Sequence, residues 1–329
     1  MTNKPDFEYP FLSVLLAVKN EGQYIENTLK MLFDQDYPQD KYEVIVADGC
    51  SDDETPEIVK AFSKKHSNCI YLKNEKILSA SGWNLGIEHS KGDVVSFLSG
   101  HVDFEKSYYS KLVKRLTKDI CGVGGPSVTK GKSKKGKIIS LAYLSAFGSG
   151  GASFLSDSEE GDVESIVFGC YWKKDIQKAG GFDEKCARGQ DWDLNVRLRS
   201  MGYRLYKVND VKTEPYVRDT YKSLWRRHYF AGLWKTYINR KYQNAFLLRH
   251  LIPPLFSLGL TVSVILGFFW NWTFLFPALA LAMYLLISIK MVIKYRLKIP
   301  DVFLFMIVFF IIHYSYGVGF ILGLGKHEK

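Results

Sequence analysis

Tyr42–Thr55 reads YEVIVADGCSDDET, an apolar run rich in β-branched residues that stops at Asp48-Gly49 and gives way to an acidic, turn-forming cluster. Val44, Ile45 and Val46 have the continuous apolar character of a strand buried on both faces, as happens where helices cover a parallel sheet. Asp48–Thr55 is then the loop at the strand's carboxyl end, the edge on which open α/β sheets bind ligands, and a nucleotide is the first ligand to consider there. The same residues also suit a capped turn with no ligand, so the flanking sequence has to decide.

Working outward, strand and helix signals alternate. Phe11–Val18, Ile70–Lys73 and Asp93–Leu98 read as strands, and Tyr24–Phe33, Pro56–His66 and Ala80–His89 as helices. That order predicts an α/β, doubly wound and mostly parallel sheet. After Asn20-Glu21-Gly22 the first helix opens near the carboxyl end of its strand, which places its amide groups and a mobile acidic side chain, Glu21, beside the crevice of Asp48. Neither GxGxxG nor GxxxxGK[ST] occurs in the chain, which weighs against a dinucleotide oxidoreductase and a P-loop ATPase.

The charges are unevenly spread. No Asp, Glu, Lys or Arg occurs from Leu251 to Ile289 or from Val302 to Gly325. A membrane-crossing helix needs roughly 20 apolar residues, so the first stretch accommodates two crossings and the second one. Three spans are expected, near 251–270, 273–293 and 302–324, with Trp270-Asn271-Trp272 at the turn. Lys290, Lys294, Arg296 and Lys298 crowd the second loop, and Arg240, Lys241 and Arg249 precede the first span, so the N-terminal part is expected on the cytosolic side. Three crossings would put the tail Lys326–Lys329 outside, slightly against that rule, and an even number of spans stays open. Met1–Pro10 is polar and carries no signal-peptide pattern. Five cysteines without CxxC spacing suit reduced thiols rather than a disulfide framework or a zinc site, and Cys50 adjoins the ligand loop.

The stretches VLLAVKNEGQYI, VIVADGCSDDET, SASGWNLGIEHSKGDVVSFL, GGFDE and GQDWDLNVRLRSMGYR, in this order and spacing, resemble the family 2 glycosyltransferases with the GT-A fold over roughly Phe11–Gly232. Within that family the chain is most similar to the membrane-attached bacterial enzymes of the succinoglycan glucosyltransferase type. The resemblance implies a nucleotide-diphospho-sugar transferase fold for 1–215, basic aromatic interfacial helices over 216–249 and a transmembrane region over 250–329.

It also implies roles for particular residues. Asp48 matches the aspartate that contacts the nucleoside, and its carboxylate can accept from uracil N3–H. Ala17, Asn20 and Glu21 match the first nucleotide-contacting loop. Gly82 and Asn84 match positions near the diphosphate, although Trp83 stands where arginine is frequent. Family members end the fourth strand in Asp-x-Asp or Asp-Ala-His, whose last residue holds a divalent metal; here the trio is Ser99-Gly100-His101. His101 becomes the candidate metal ligand, with Asp103 nearby, and an imidazole suits Mn²⁺ better than Mg²⁺. Metal-independent stabilisation of the leaving group by cations and backbone amides is the rival reading. Asp191 matches the aspartate that deprotonates the acceptor hydroxyl, with Gln190 in place of a glutamate and Asp193 able to share the duty. One such base is enough for a single inverting displacement.

Tyr216–Arg249 interleaves Arg218, Lys222, Arg226, Arg227, Lys235 and Arg240 with Trp225, Tyr229, Phe230, Trp234, Tyr237 and Phe246. Such helices lie among lipid headgroups, cations toward phospholipid and rings toward acyl chains. Trp225-Arg226-Arg227-His228 also matches a family element that closes over donor and acceptor, and its missing glutamine points to single-sugar transfer. A nucleic-acid partner is not expected of such a chain. Lys130–Lys137, KGKSKKGK, reads as a solvated flexible loop. The expectation is therefore a multi-pass protein of the bacterial cytoplasmic membrane that moves a sugar from a UDP-sugar, UDP-glucose by resemblance, to a polyprenyl-diphosphate-linked saccharide in extracellular polysaccharide assembly. The alternatives are a polyprenyl-phosphate glycosyltransferase and an inactive membrane scaffold.

Overall fold

The computed structural model describes residues 8–152, 160–242 and 247–325, so most of Met1–Pro10, Phe246 and the tail Lys326–Lys329 lie outside the described residues. The chain divides into two compact units, Met1–Val128 with Ser153–Pro215, and Thr129–Ala152 with Tyr216–Lys329.

The first unit begins with β1 (Leu12–Val18), α1 (Gly22–Phe33), β2 (Tyr42–Asp48), α2 (Thr55–Lys65), β3 (Cys69–Lys73), α3 (Ser79–His89) and β4 (Val94–Leu98). It continues through β5 (Val102–Phe104), α4 (Tyr108–Val113) and β6 (Ile120–Gly124). The chain then enters the second unit as α5 (Lys134–Leu144) and α6 (Ala146–Ser149). It returns to the first as β7 (Gly161–Asp162), β8 (Cys170–Trp172), α7 (Lys173–Lys178), α8 (Gln190–Ser200), β9 (Arg204–Lys207) and β10 (Thr213–Pro215).

The main sheet runs β3-β2-β1-β4-β8-β6-β9-β7. β3, β2, β1 and β4 are mutually parallel, while β8 runs antiparallel to β4 and β6. Alternation along the central strands loads both faces. Leu12, Val14, Leu16, Val44 and Val46 pack with Ile25 and Leu29 of α1 and Val59 of α2. Leu15, Ile45, Val95 and Phe97 pack with Ile87 of α3 and Leu194 and Leu198 of α8. Each such side chain contributes about 1.5–3 kcal/mol when fully buried. The α/β, mostly parallel sheet expected from the alternating pattern is what folds, with the GT-A-like architecture that the resemblance implies. All five cysteines are unpaired, four of them buried.

In the second unit α9 (Tyr221–Lys241), α10 (Ile252–Gly267), α11 (Leu275–Lys294) and α12 (Asp301–Leu324) follow in order. The segments Leu248–Gly267, Asn271–Lys294 and Asp301–Leu324 are long and apolar enough to cross a membrane. α10 and α11 leave Leu255, Leu258, Ile265, Leu279, Leu286 and Ile293 exposed, as lipid-facing helices do. α12 is more enclosed: Phe305, Val308, Phe309 and Ile312 are buried with Ile138, Ile139 and Ala142 of α5 and Tyr284 and Met291 of α11.

One sequence expectation is corrected here: the Lys130–Lys137 run is not a solvated loop throughout. Ser133 caps α5 by accepting from the Gly136 amide, and Lys134, in its first turn, pairs with buried Asp301 at 2.6 Å. Along the basic, aromatic segment α9 packs closely on α12: a Cβ on Gly232 would collide with the Tyr316 carbonyl oxygen, and one on Gly319 with that of Tyr229. Small residues therefore set this contact, with Arg240 donating to the Gly323 carbonyl and the Trp225 ring 6.2 Å from that of Tyr314.

Candidate active site

The site is built where β1, β2 and β4 end side by side. The loop after β1 is laced to the loop after β2: the Asn20 amide donates to Ser51 Oγ at 2.8 Å, the Glu21 amide to Thr55 Oγ1 at 2.8 Å, and the Asp52 amide to Asn20 Oδ1 at 3.1 Å. Asp53 Oδ2 accepts from the Gly22 amide at 2.9 Å. The first amide of α1, expected to be open toward the crevice, is thus capped by the neighbouring loop. Asn20 adopts φ 54°, a left-handed conformation that asparagine tolerates better than most residues.

Asp48 closes β2 and is 2% exposed. Ser51 Oγ donates to its Oδ1 at 2.5 Å and Tyr71 Oη to its Oδ2 at 3.0 Å. The carboxylate is thereby fixed in orientation while each oxygen keeps acceptor capacity. Burial, then the bond to Asp48, pushes the Tyr71 hydroxyl up to about 12, so it stays a donor at neutral pH. Neither Tyr71 nor Ser51 was singled out from sequence.

His101 follows β4. Its Nδ1 lies 2.9 Å from Glu21 Oε1. Glu21, expected as a mobile acid, is 7% exposed and engaged here. Gly100 lets this side chain pass, since a Cβ at position 100 would sit 3.0 Å from Glu21 Cβ and Cγ; Thr28 Oγ1 also donates to the Gly100 carbonyl at 2.9 Å. Ser99 Oγ is buried and has no hydrogen-bond partner. Asp103, on β5, accepts from Asn27 at 3.2 Å. Among the described residues no three His, Cys, Asp or Glu side chains are grouped to hold a metal ion.

Asp191 lies half-buried in the first turn of α8, after Gly189 at φ 76°. Burial, then the charge of Asp191, holds the Tyr171 phenol well above its ordinary range. Asp193 is different: it is 0% exposed and takes Arg197 Nε and a terminal guanidinium nitrogen at 3.0 and 2.6 Å. That ion pair commits it to holding α8, and it does not share the exposure of Asp191.

Asn84 and Gly82 do structural work. Asn84 Oδ1 accepts from the Phe182 amide at 2.8 Å and its Nδ2 donates to the Phe182 carbonyl at 2.9 Å and Glu184 Oε1 at 3.1 Å. Lys76 pairs with Glu184 at 2.7 Å, and Lys76, then Asn84, holds the Glu184 carboxyl below its usual range. Trp83, in place of an arginine, packs its ring 4.9 Å from that of Phe182. These contacts pin the turn leading to Asp191 against α3. Gly82 is buried where a Cβ would meet Ala17 Cβ at 3.0 Å and Asn74 Nδ2 at 3.1 Å, so it and Ala17 set the close approach of α3 to β1. Arg226 and Arg227 belong to the second unit, over the rings of Phe230 at 6.0 Å and Tyr143 at 4.8 Å.

Residues 13–172 match the family model described as glycosyl transferase family 2. The chain carries a family 2 glycosyltransferase domain and is an enzyme of that class. It is 29% identical over 326 residues, 96% of this chain and 98% of the relative, to the dolichyl N-acetyl-alpha-D-glucosaminyl phosphate 3-beta-D-2,3-diacetamido-2,3-dideoxy-beta-D-glucuronosyltransferase of Methanococcus voltae. It is 37% identical over 211 residues to glycosyltransferase AglE of Haloferax volcanii, covering 61% of this chain and 66% of that one. The succinoglycan biosynthesis protein ExoA of Rhizobium meliloti is 23% identical over 247 residues, 73% of each chain. The structure of the mannosyltransferase PcManGT from Pyrobaculum calidifontis in complex with GDP-Man and Mn²⁺ superposes over 98% of this chain and 89% of that one, with TM-score 0.62 at 18% identity, which establishes the shared fold.

Proposed function

We propose that this protein transfers one sugar from a UDP-sugar, with inversion, to a hydroxyl of a polyprenyl-linked saccharide at the cytosolic face of a membrane. The observation that carries this reading is the grouping of Asp48, Glu21 and His101 at the carboxyl edge of three parallel strands in a family 2 domain, on a chain with three helices apolar enough to cross a bilayer. The full-length similarity to an enzyme whose name specifies a dolichyl-linked sugar supports the acceptor class. The same name specifies an acetamido-substituted uronosyl group, which sets a second candidate beside the UDP-glucose that the sequence resemblance implies.

In this reading Asp48, held by Ser51 and Tyr71, accepts from the base of the nucleotide. Asn20 lines the same edge. His101 Nε2, the ring nitrogen not used by Glu21, would hold a divalent cation together with donor oxygens. With no group of three His, Cys, Asp or Glu side chains among the described residues, the cation would be held weakly and arrive with the nucleotide; Mn²⁺ suits the imidazole. When bound, it offsets the charge that develops on the leaving diphosphate. Asp191 takes the proton of the attacking hydroxyl. Arg226 and Arg227 are assigned to the acceptor or leaving phosphates, and the basic residues at the end of α11 and just beyond it, Lys290, Lys294, Arg296 and Lys298, to the phospholipid of the cytosolic leaflet.

The test is transfer by isolated membranes to polyprenyl-linked GlcNAc from a panel of UDP- and GDP-sugars, repeated with EDTA and then with Mn²⁺ or Mg²⁺ restored. The reading expects a UDP-sugar to be used, loss of transfer in EDTA and better recovery with Mn²⁺. Transfer to the bare polyprenyl phosphate alone would contradict the acceptor assignment, and use of only GDP-sugars the donor assignment.

A further inference from the structure

We infer that Glu21 is a positioning residue: by accepting a hydrogen bond from His101 Nδ1 it fixes the imidazole as the Nδ1–H tautomer and presents the bare Nε2 to the donor's phosphates and their cation. The inference rests on the functional reading above and offers Glu21 a role other than the nucleotide contact that the resemblance implies.

Three features of the structure carry it. First, the 2.9 Å contact joins residues 80 apart in sequence and is made by a carboxylate that is almost wholly buried, while the imidazole side chain keeps 28% of its surface exposed. A buried carboxylate behind a half-exposed imidazole is the arrangement by which proteins orient a metal-binding or phosphate-binding histidine. Second, the couple is supported from its surroundings. Glu21 is anchored through its amide to Thr55, its carbonyl receives the amides of Tyr24 and Ile25, and the ring of Tyr24 stands edge-on to His101 at 6.2 Å. Third, the side chain of Glu21 crosses Gly100 at a distance no other residue would permit without displacement. The Ser99-Gly100-His101 trio is therefore shaped around Glu21. Its glycine gives the carboxylate passage, and its histidine stands in front of that carboxylate.

The chemistry follows from the tautomer. Free neutral histidine has two nitrogens, one donor and one acceptor, and the partner of one decides the state of the other. With Glu21 accepting at Nδ1, Nε2 is the nitrogen that holds the free lone pair. Outer carboxylates of this kind raise the basicity of the imidazole, and their loss typically weakens metal binding about 10–100-fold.

Two measurements on the purified full-length protein test this. Mn²⁺ affinity of the UDP complex, read by electron paramagnetic resonance, is compared for wild type, Glu21→Met, His101→Ala and the double variant. Methionine keeps the length and apolar stem of the buried side chain without the acceptor, and Glu21→Gln, which retains an acceptor oxygen, guards against a folding defect peculiar to methionine. Glu21→Met is expected to weaken Mn²⁺ about 10–100-fold, Glu21→Gln less, and Glu21→Met in the His101→Ala background not at all. Selective ¹⁵N-histidine spectra should assign the Nδ1–H form to His101 in wild type and the Nε2–H form in Glu21→Met. Unchanged Mn²⁺ affinity in Glu21→Met, or equal losses with and without His101, would overturn the positioning role. Failure of wild type to bind UDP at all would instead overturn the donor reading on which it stands, and Mn²⁺ binding that ignores UDP would contradict the shared role of donor and imidazole.

Discussion

Asp48 is held at the carboxyl end of a buried strand, and Asp191 stands in the first turn of a helix. Tyr71 reaches Asp48 from the next strand, and Glu21 meets His101 across two loops, so both pairings depend on register that no local pattern encodes. Asn84 is the converse: matched by position to the donor site, it spends its carboxamide on the backbone of Phe182. At this scale Tyr71→Phe removes one of the two hydroxyls that orient Asp48. A hydrogen bond to a charged group is worth about 1.5–3 kcal/mol, so donor KM should rise at least about tenfold while kcat changes little; steady-state kinetics with varied donor checks this. An unchanged KM would mean that Asp48 does not need Tyr71 to face the nucleotide.

Between elements, the active edge depends on loops laced together by side chains. Asp53 caps α1 from the neighbouring loop, and hydrogen bonds from the Thr55 hydroxyl, the Gly22 amide and the Thr55 amide outweigh its burial to hold its carboxyl below the usual range. A carboxyl depressed in the folded state adds stability that is present above its unfolded pKa, about 3.9, and lost as pH falls through the lower folded value. Asp53→Asn should therefore lower Tm at neutral pH, and the gap to wild type should close below about pH 4; melting curves across that range decide it. Asn84→Ala should release the turn before Asp191. Loss of its bonds to the Phe182 amide and carbonyl should cost about 1–3 kcal/mol in a urea unfolding series, with a fall in kcat. The strands and helices around β1–β4 were legible because apolar periodicity there is uninterrupted. α5 was not: the lysines of Lys130–Lys137 dominate the local composition and mask Ser133, a helix cap, followed by the apolar IISLAYL.

For the whole molecule, the three apolar spans could be read directly, since absence of charge over such lengths leaves few alternatives. What α9 packs against could not. Its lysines, arginines and aromatic rings advertise a lipid interface, whereas Gly232 meets the backbone of Tyr316 and Phe320 of α12, Gly319 of α12 that of Tyr229, and Gly323 faces Leu233 and Thr236. Gly319→Leu should force the two backbones apart and lower the detergent-solubilised Tm, while Leu322→Ala, at an exposed position of the same helix, should leave it nearly unchanged. Equal melting of the two variants would mean that the close approach contributes nothing. The central claim is that Asp191 activates an acceptor hydroxyl against a nucleotide-sugar held at the edge of β1, β2 and β4. Its most direct measurement is single-turnover transfer to the lipid-linked acceptor by Asp191→Asn with donor saturating. The expected result is a rate at least about a hundredfold below wild type with UDP-sugar affinity and Tm preserved. A wild-type transfer rate in that variant would contradict it.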